Sequence, residues 1–231
     1  MRIFVGMSGG VDSSVTAHLL QQQGHEVVGI YMKNWSGNVS TERGNFRFPC
    51  SAKADWQVAL RAAEHLGIPL YPFDFEEEYR EKVTGYFIKE IEAGRTPNPD
   101  VMCNKEIKFK VFLTKCLALG ADKIATGHYA RVEKKQGIYW LKKGVDASKD
   151  QSYFLNTLGQ YELSHTLFPI GNMHKSEVRD IAASLQLPNA QKPDSQGICF
   201  VGEIDVNEFI KSFVGEQPGE IVTEDGLVVG Q

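Results

Sequence analysis

The sequence predicts an α/β protein built on a parallel sheet, and three observations predict it. Short apolar runs at 3–5, 27–32, 70–73 and 122–126 alternate with segments whose apolar residues recur at helical spacing. The units joining the runs are long enough for right-handed crossovers. A small, polar turn, Gly6-Met7-Ser8-Gly9-Gly10-Val11-Asp12-Ser13-Ser14, joins the first run to the first helix.

Taken in order, 3–5 is a short buried strand, and Val11, Val15 and Leu19 give the next segment its helical stripe. Gly24 stops that helix, and 27–32 is a continuous apolar run suited to a buried parallel strand. Residues 33–49 are glycine-dotted without periodicity and read as a long, mobile loop. Val58, Ala59, Ala62, Ala63 and Leu66 mark a second helix, 70–73 a third strand, and the acidic stretch from Glu76 a helix ending near Gly94.

Two prolines within three residues make 95–104 irregular, with Asn104 as N-cap of a helix over 105–119. After the strand at 122–126, Val132 and 138–141 form an exposed hairpin around Lys134, Lys135 and Gly137. A short helix follows Lys149, and further helices are expected at 161–167, 176–187 and 206–214. The last residues alternate like strands and turn at Asp225-Gly226.

With 231 residues, 42% hydrophobic and 23% charged, the composition is that of an ordinary soluble protein. No apolar run nears the roughly 20 residues of a membrane span, and no signal peptide opens the chain, so a cytoplasmic location is expected. Cys50, Cys103, Cys116 and Cys199 are widely spaced without a C-x-x-C, which disfavours a zinc site and a disulfide framework. The net charge of −4 hides a basic block, since residues 105–149 hold eleven Lys and Arg against four Asp and Glu. Such a block suits a phosphate-bearing macromolecule or is simply a solvated surface.

The turn at 6–14 is a phosphate cradle by its chemistry. It offers backbone N–H groups at a helix N-terminus, where the dipole favours an anion. Its glycines permit close approach, and Ser8, Ser13 and Ser14 add hydroxyls. The lysine of a Gly-x-x-x-x-Gly-Lys-Ser/Thr loop is missing, and so is a Gly-x-Gly-x-x-Gly fingerprint. Ser8-Gly9-Gly10-Val11-Asp12-Ser13 instead resembles the pyrophosphate loop (PP-loop) of the ATP-pyrophosphatase superfamily. That likeness implies ATP cleaved between its α- and β-phosphates on a Rossmann-like sheet.

In open α/β sheets ligands lie beyond the carboxyl ends of strands. Met32 and Gly127 end two such strands, which places adenine near Met32 and ribose or phosphate near Gly127. Asp12 is suited to Mg²⁺ beside a polyphosphate, or else is a plain first-turn carboxylate. Cys103, ahead of a helix rich in Lys105, Lys108 and Lys110, has the setting of a stabilised thiolate, with a buried thiol as the alternative. Asp100, three residues earlier, is placed to exchange protons with a bound base. Cys116 falls on an apolar helix face and reads as core.

Five motifs stand in one order. They are Ser8–Ser13, Asn98-Pro99-Asp100-Val101-Met102-Cys103-Asn104-Lys105-Glu106-Ile107-Lys108-Phe109, Gly127-His128-Tyr129-Ala130-Arg131, Lys149-Asp150-Gln151-Ser152-Tyr153-Phe154-Leu155 and Asp194-Ser195-Gln196-Gly197-Ile198-Cys199-Phe200. Together they closely resemble the bacterial tRNA-specific 2-thiouridylase family, along the whole chain. The resemblance implies ATP contacts at Gly6, Met7, Ser8, Gly9, Gly10, Val11, Asp12, Ser13, Met32 and Gly127. It implies target-base contacts at Asn98, Pro99 and Asp100, and tRNA contacts at His128, Lys149, Asp150 and Gln151. Cys199 would receive sulfur as a persulfide from a cysteine desulfurase or sulfur-relay protein. Cys103 would complete its release, and the two cysteines would pair as a disulfide during the cycle.

The expected domains are a PP-loop domain over 1–160, a helical segment over 161–216 and the start of a β-domain over 217–231. Members of the family usually continue into a C-terminal β-barrel, so the chain reads as a piece of a longer protein. Two other readings are open: a related adenylating ligase acting on a small molecule, and a nucleotide- or tRNA-binding module without catalysis.

Overall fold

The structure is a computed structural model and describes residues 1–194, 204–216 and 218–230. Cys199 and the motif that carries it, apart from Asp194, lie outside the described residues. β1 (Arg2–Gly6) leads into α1 (Val11–Gln22), β2 (Glu26–Lys33) and a hairpin of β3 (Asn38–Thr41) and β4 (Gly44–Arg47). α2 (Ala52–Leu66) and β5 (Leu70–Asp74) follow. A composite helix comes next: α3 (Glu76–Tyr79), a wider π-type turn at Arg80–Thr84, and α4 (Gly85–Glu92). A second runs through α5 (Pro99–Met102), a π-type stretch at Cys103–Phe112, and α6 (Leu113–Ala118).

Beyond them lie β6 (Lys123–Ala125), the hairpin β7 (Ala130–Lys135) and β8 (Ile138–Lys143), and a tight turn at Ser152–Leu155. α7 (Gln160–Ser164), β9 (Thr166–Leu167) and α8 (Lys175–Ser184) precede α9 (Val206–Val214) and the terminal hairpin β10 (Ile221–Val222) and β11 (Val228–Gly230).

The expected Rossmann-like parallel sheet forms, in the order β5-β2-β1-β6-β9 with every pairing parallel. Alternation along β1 sends Ile3 and Val5 to one face, against Ala17 and Leu20 of α1 and Ala62 and Ala63 of α2. Phe4 goes to the other, with Phe112 and Cys116. Both faces are therefore covered, as a parallel sheet requires. The chain runs outward from β1 to β2 and β5, then crosses back to β6. The direction of winding thus reverses between β1 and β6, where the crevice for a ligand opens.

Three stretches differ from the sequence expectation. Residues 33–49 are not a structureless loop, because β3 and β4 pair across Asn38↔Arg47 to Thr41↔Gly44. Their support is distant: Trp35 and Phe48 pack edge-on to Phe209 of α9. Arg43 donates to the carbonyls of Phe213 and Val214 at 3.1 and 3.0 Å, capping that helix.

Residues 95–104 are not irregular throughout. Asn98 is the N-cap, its Oδ1 accepting from the Val101 N–H at 3.1 Å, and Pro99 takes the first helical position, where no N–H is needed. Asn104, the expected cap, lies inside the helix and donates to the Asp100 carbonyl at 2.9 Å. Cys103 is thus one turn within the helix rather than ahead of it.

The helix expected over 161–167 ends at Ser164. Thr166 and Leu167 then pair with Ile124 and Ala125 as the fifth strand. α8 packs on α1 through Val178 and Ala182 against Val11 and Val15. Among the described residues no helix is long and apolar enough to cross a membrane.

Candidate active site

The phosphate loop sits at the reversal point, and its shape is fixed by close contacts. Gly9 has φ +82°, and a Cβ there would stand 2.7 Å from the Asp55 carbonyl oxygen. Ser13 accepts from the Ser8 N–H at 3.3 Å and donates to the Gly10 carbonyl at 2.9 Å. Ser14 donates to the same carbonyl and accepts from Asn189 at 2.9 Å. These two serines, expected as phosphate donors, instead turn inward and hold the loop. The start of α1 has no side-chain cap, which leaves its first-turn amides for an anion. Gly127 passes so close that a Cβ would lie 2.9 Å from the Asp12 carbonyl carbon and the Ser13 nitrogen.

In front of the loop is a cleft of about 420 Å³, within the usual span of small-molecule sites, roughly 300–1,000 Å³. Gly6, Ser8, Gly10, Val11, Asp12, Ser13, Met32, Gly127, His128, Lys149 and Gln151 line it, as do Lys108, Lys175 and Asp194. Met7 and Gly9 do not: both are buried, Met7 in the core between sheet and helices. Beside Met32, Asn34 is only 2% exposed. Neither end of its amide has a hydrogen-bond partner among the described residues, and the Trp35 indole nitrogen is in the same position.

Charge in the cleft is closely paired. The Lys175 ammonium lies 2.8 Å from both Asp12 oxygens and 2.7 Å from Asp194 Oδ1. The Tyr129 hydroxyl also donates to Asp12, at 2.9 Å. Asp194 further receives Lys149 at 2.7 Å and Arg179 at 2.9 Å. Burial works against ionisation of Asp194, but the bonds from Lys149 and Lys175 outweigh it and hold its pKa down at about 2.

His128 is 7% exposed, and burial, aided by Lys108, pushes its pKa well below normal, so the ring is neutral. Lys108 can only donate, at 3.4 Å to Nε2, which leaves Nδ1–H to donate to Thr126 at 2.7 Å.

Other expected site residues lie outside the cleft lining. Asn98, Pro99 and Asp100 form the start of α5, and Cys103 is 0% exposed in the apolar core. Asp150 is engaged locally, accepting from Gly144 and Ser152. The cations expected around Cys103 are dispersed, since Lys105 and Lys110 pair with Glu106 and Lys108 turns to His128. Nor is the basic block one patch: Lys115 covers the Phe73 ring and Lys123 donates to the Ser164 carbonyl. Cys50 is exposed, and Cys116 is core as expected, its thiol pKa raised by burial.

Sequence reasoning missed Lys175, which starts α8 and meets the loop 163 residues away. One signal was available, because a lysine in the first turn of a helix opposes the dipole.

A model of the family described as "tRNA methyl transferase HUP domain" matches residues 1–203. The chain belongs to that family. Similar members include the tRNA-specific 2-thiouridylase MnmA of Shouchella clausii (strain KSM-K16), 55% identical over 100% of this chain and 62% of its own. The protein of the same name from Acidovorax ebreus (strain TPSY) is 53% identical, over 100% of this chain and 61% of its own. The chain thus spans about three-fifths of the length of these relatives.

Among solved structures, a 4-thiouridine synthetase–RNA complex with bound ATP aligns with TM-score 0.53 and 14% identity, over 91% of this chain and 49% of that one. The NMN synthetase of Francisella tularensis aligns with TM-score 0.50 and 17% identity, over 90% and 71%. At such identities the likeness is one of fold, and it is the parallel α/β fold that the sequence predicted.

The paired charges make a pH prediction. The Asp194 carboxyl has a folded pKa near 2, below its ordinary 3.8. Its contribution is therefore fully present above about pH 4 and is lost as pH falls toward 2. With solvent screening, Asp194→Asn should cost on the order of 1 kcal/mol at neutral pH. In urea unfolding the gap between variant and wild type should close on acidification; a gap constant from pH 7 to 2.5 would contradict the assignment.

Proposed function

We propose that this chain carries the ATP-activating and sulfur-transferring part of a tRNA-uridine 2-sulfurtransferase. The carrying observation is identity above half, along the entire chain, to proteins named tRNA-specific 2-thiouridylase. The uncapped α1 N-terminus facing a lysine-bearing cleft is consistent with it. Methyl transfer, the activity in the family's description, would leave that phosphate cradle without a role.

In this reading Gly6, Ser8, Gly10, Val11, Asp12, Ser13, Met32 and Gly127 hold ATP, and Met7 and Gly9 shape the loop from behind. Asn34 lies close to the adenine end. Residues 1–160 carry most of the nucleotide domain, and β9 and α8 of the 161–216 segment complete its sheet and cleft. That segment also carries Cys199, and 217–231 begin a β-domain. Asn98, Pro99 and Asp100 meet the wobble uridine, while His128, Lys149, Asp150 and Gln151 serve the tRNA. His128 acts from beneath the cleft surface, given its burial.

The uridine C2 oxygen attacks the α-phosphorus, pyrophosphate leaves, and C2 gains a good leaving group. The Cys103 thiolate then attacks the inner sulfur of the Cys199 persulfide, forming a Cys103–Cys199 disulfide and freeing sulfide, which attacks C2 as AMP departs. Alternatively the persulfide attacks C2 first and Cys103 resolves the mixed disulfide. A desulfurase or relay protein reloads Cys199 after a reductant reopens the bond.

Asp12 and Asp194 converge on one ammonium, so two carboxylates face one point in the cleft. These are the carboxylates that would hold Mg²⁺, and the ion would supply positive charge to the leaving pyrophosphate.

Pyrophosphate release from ATP tests the reading. Unmodified tRNA should stimulate release, and tRNA with cytidine at the wobble position should not. Stimulation by a small acid but never by tRNA would favour a small-molecule ligase, and no release under any condition a binding module.

A further inference from the structure

The loop lacks the lysine of the commoner phosphate loop, yet a lysine reaches it from elsewhere in the fold. We infer that Lys175 is a phosphate-binding residue of the cleft, contacting the polyphosphate of ATP. The inference rests on the reading of this cleft as an ATP site.

Lys175 is 9% exposed and lines the cleft. Its ammonium sits beside Asp12, the second residue of α1, within a side chain's reach of an anion on the α1 amides. Its backbone is pinned. The Lys175 N–H donates to Asp146 Oδ2 at 2.9 Å, and the His174 N–H ahead of it donates to Glu177 at 2.6 Å. Four residues earlier, Gly171 lies against the Ala130 carbonyl, where no Cβ fits. The backbone that carries the charge is thus held in place by the fold.

Its partners suit an exchange. Asp194 has Lys149 and Arg179 as well, so Lys175 can turn from it without leaving the carboxylate unpaired. Asp12 keeps the Tyr129 hydroxyl bond. A lysine serving only to neutralise Asp12 would need no place in the cleft lining, and its loss would affect every ligand alike. A phosphate-binding lysine affects ligands by their phosphates.

Calorimetric titration of ATP, inorganic pyrophosphate and AMP separates the two roles, with thermal melts to confirm folding. Lys175→Met should weaken ATP and pyrophosphate by about tenfold or more and leave AMP within about twofold. Lys175→Arg should recover much of the ATP affinity by restoring the charge. Lys175→Gln, which removes the charge but keeps a hydrogen-bond donor, supplies the comparison if Lys175→Met does not fold. Unchanged ATP affinity, or equal loss for ATP and AMP, would overturn the inference. Wild-type protein that binds neither ATP nor pyrophosphate would instead overturn the ATP reading, and the inference with it.

Discussion

Replacing Cys103 with serine is expected to lower 2-thiouridine formation by roughly a thousandfold or more while leaving ATP binding intact. A hydroxyl cannot attack a persulfide at neutral pH, whereas a thiolate can. Cys199→Ser should abolish thiolation to the same degree, for a different reason. Cys103→Ser protein should still load one extra sulfur on Cys199 and accumulate it, visible by intact mass. Cys199→Ser protein should load none there. Cys103 lies in the core with Ile107 and Phe109, so its substitution also has a stability cost, on the order of 1 kcal/mol. A melt separates that small loss from the chemical one. Nucleoside analysis of tRNA showing normal thiolation in either variant would remove that cysteine from the mechanism.

Gly127→Ala is the second large effect. The added carbon would lie 2.9 Å from the Asp12 carbonyl carbon and the Ser13 nitrogen, and 3.0 Å from the Asp12 Cβ. Two of these three are backbone atoms at the start of α1, so no flexible side-chain end can give way. Either α1 moves off β6 or the strand end does, and both deform the phosphate loop. The expected cost is about 1–3 kcal/mol, a melting shift of roughly 2–12 °C for a chain of this size. ATP affinity should fall with it. Gly219→Ala, where nothing lies within 4 Å, is the neutral control. Equal melting temperature and ATP affinity for Gly127→Ala and wild type would refute the close-contact argument.

The alternating apolar runs and the Gly6–Ser14 turn made the sheet and its cradle legible, because both depend on neighbours within a few residues. The hairpin at 33–49 was not legible, since the aromatic partner of Trp35 and Phe48 is Phe209, at the far end of the chain. Asn98 rather than Asn104 caps its helix because Pro99 fits the first helical position, so a proline read as a breaker was a starter. Ser13 and Ser14 looked like phosphate donors, but their hydroxyls are taken by Gly10 and Asn189.

By itself, the sequence determined the parallel α/β architecture, the phosphate loop without its own lysine, and the motifs that mark the family. Only the tertiary structure decided where the charges meet. It brought Lys175 between Asp12 and Asp194 and Lys149 to Asp194, buried Cys103 and His128, and pressed Gly127 against the first turn of α1. The physical reason is range. Hydrophobic period and turn chemistry act over a few residues, while ion pairs and close backbone contacts form wherever packing brings distant segments together.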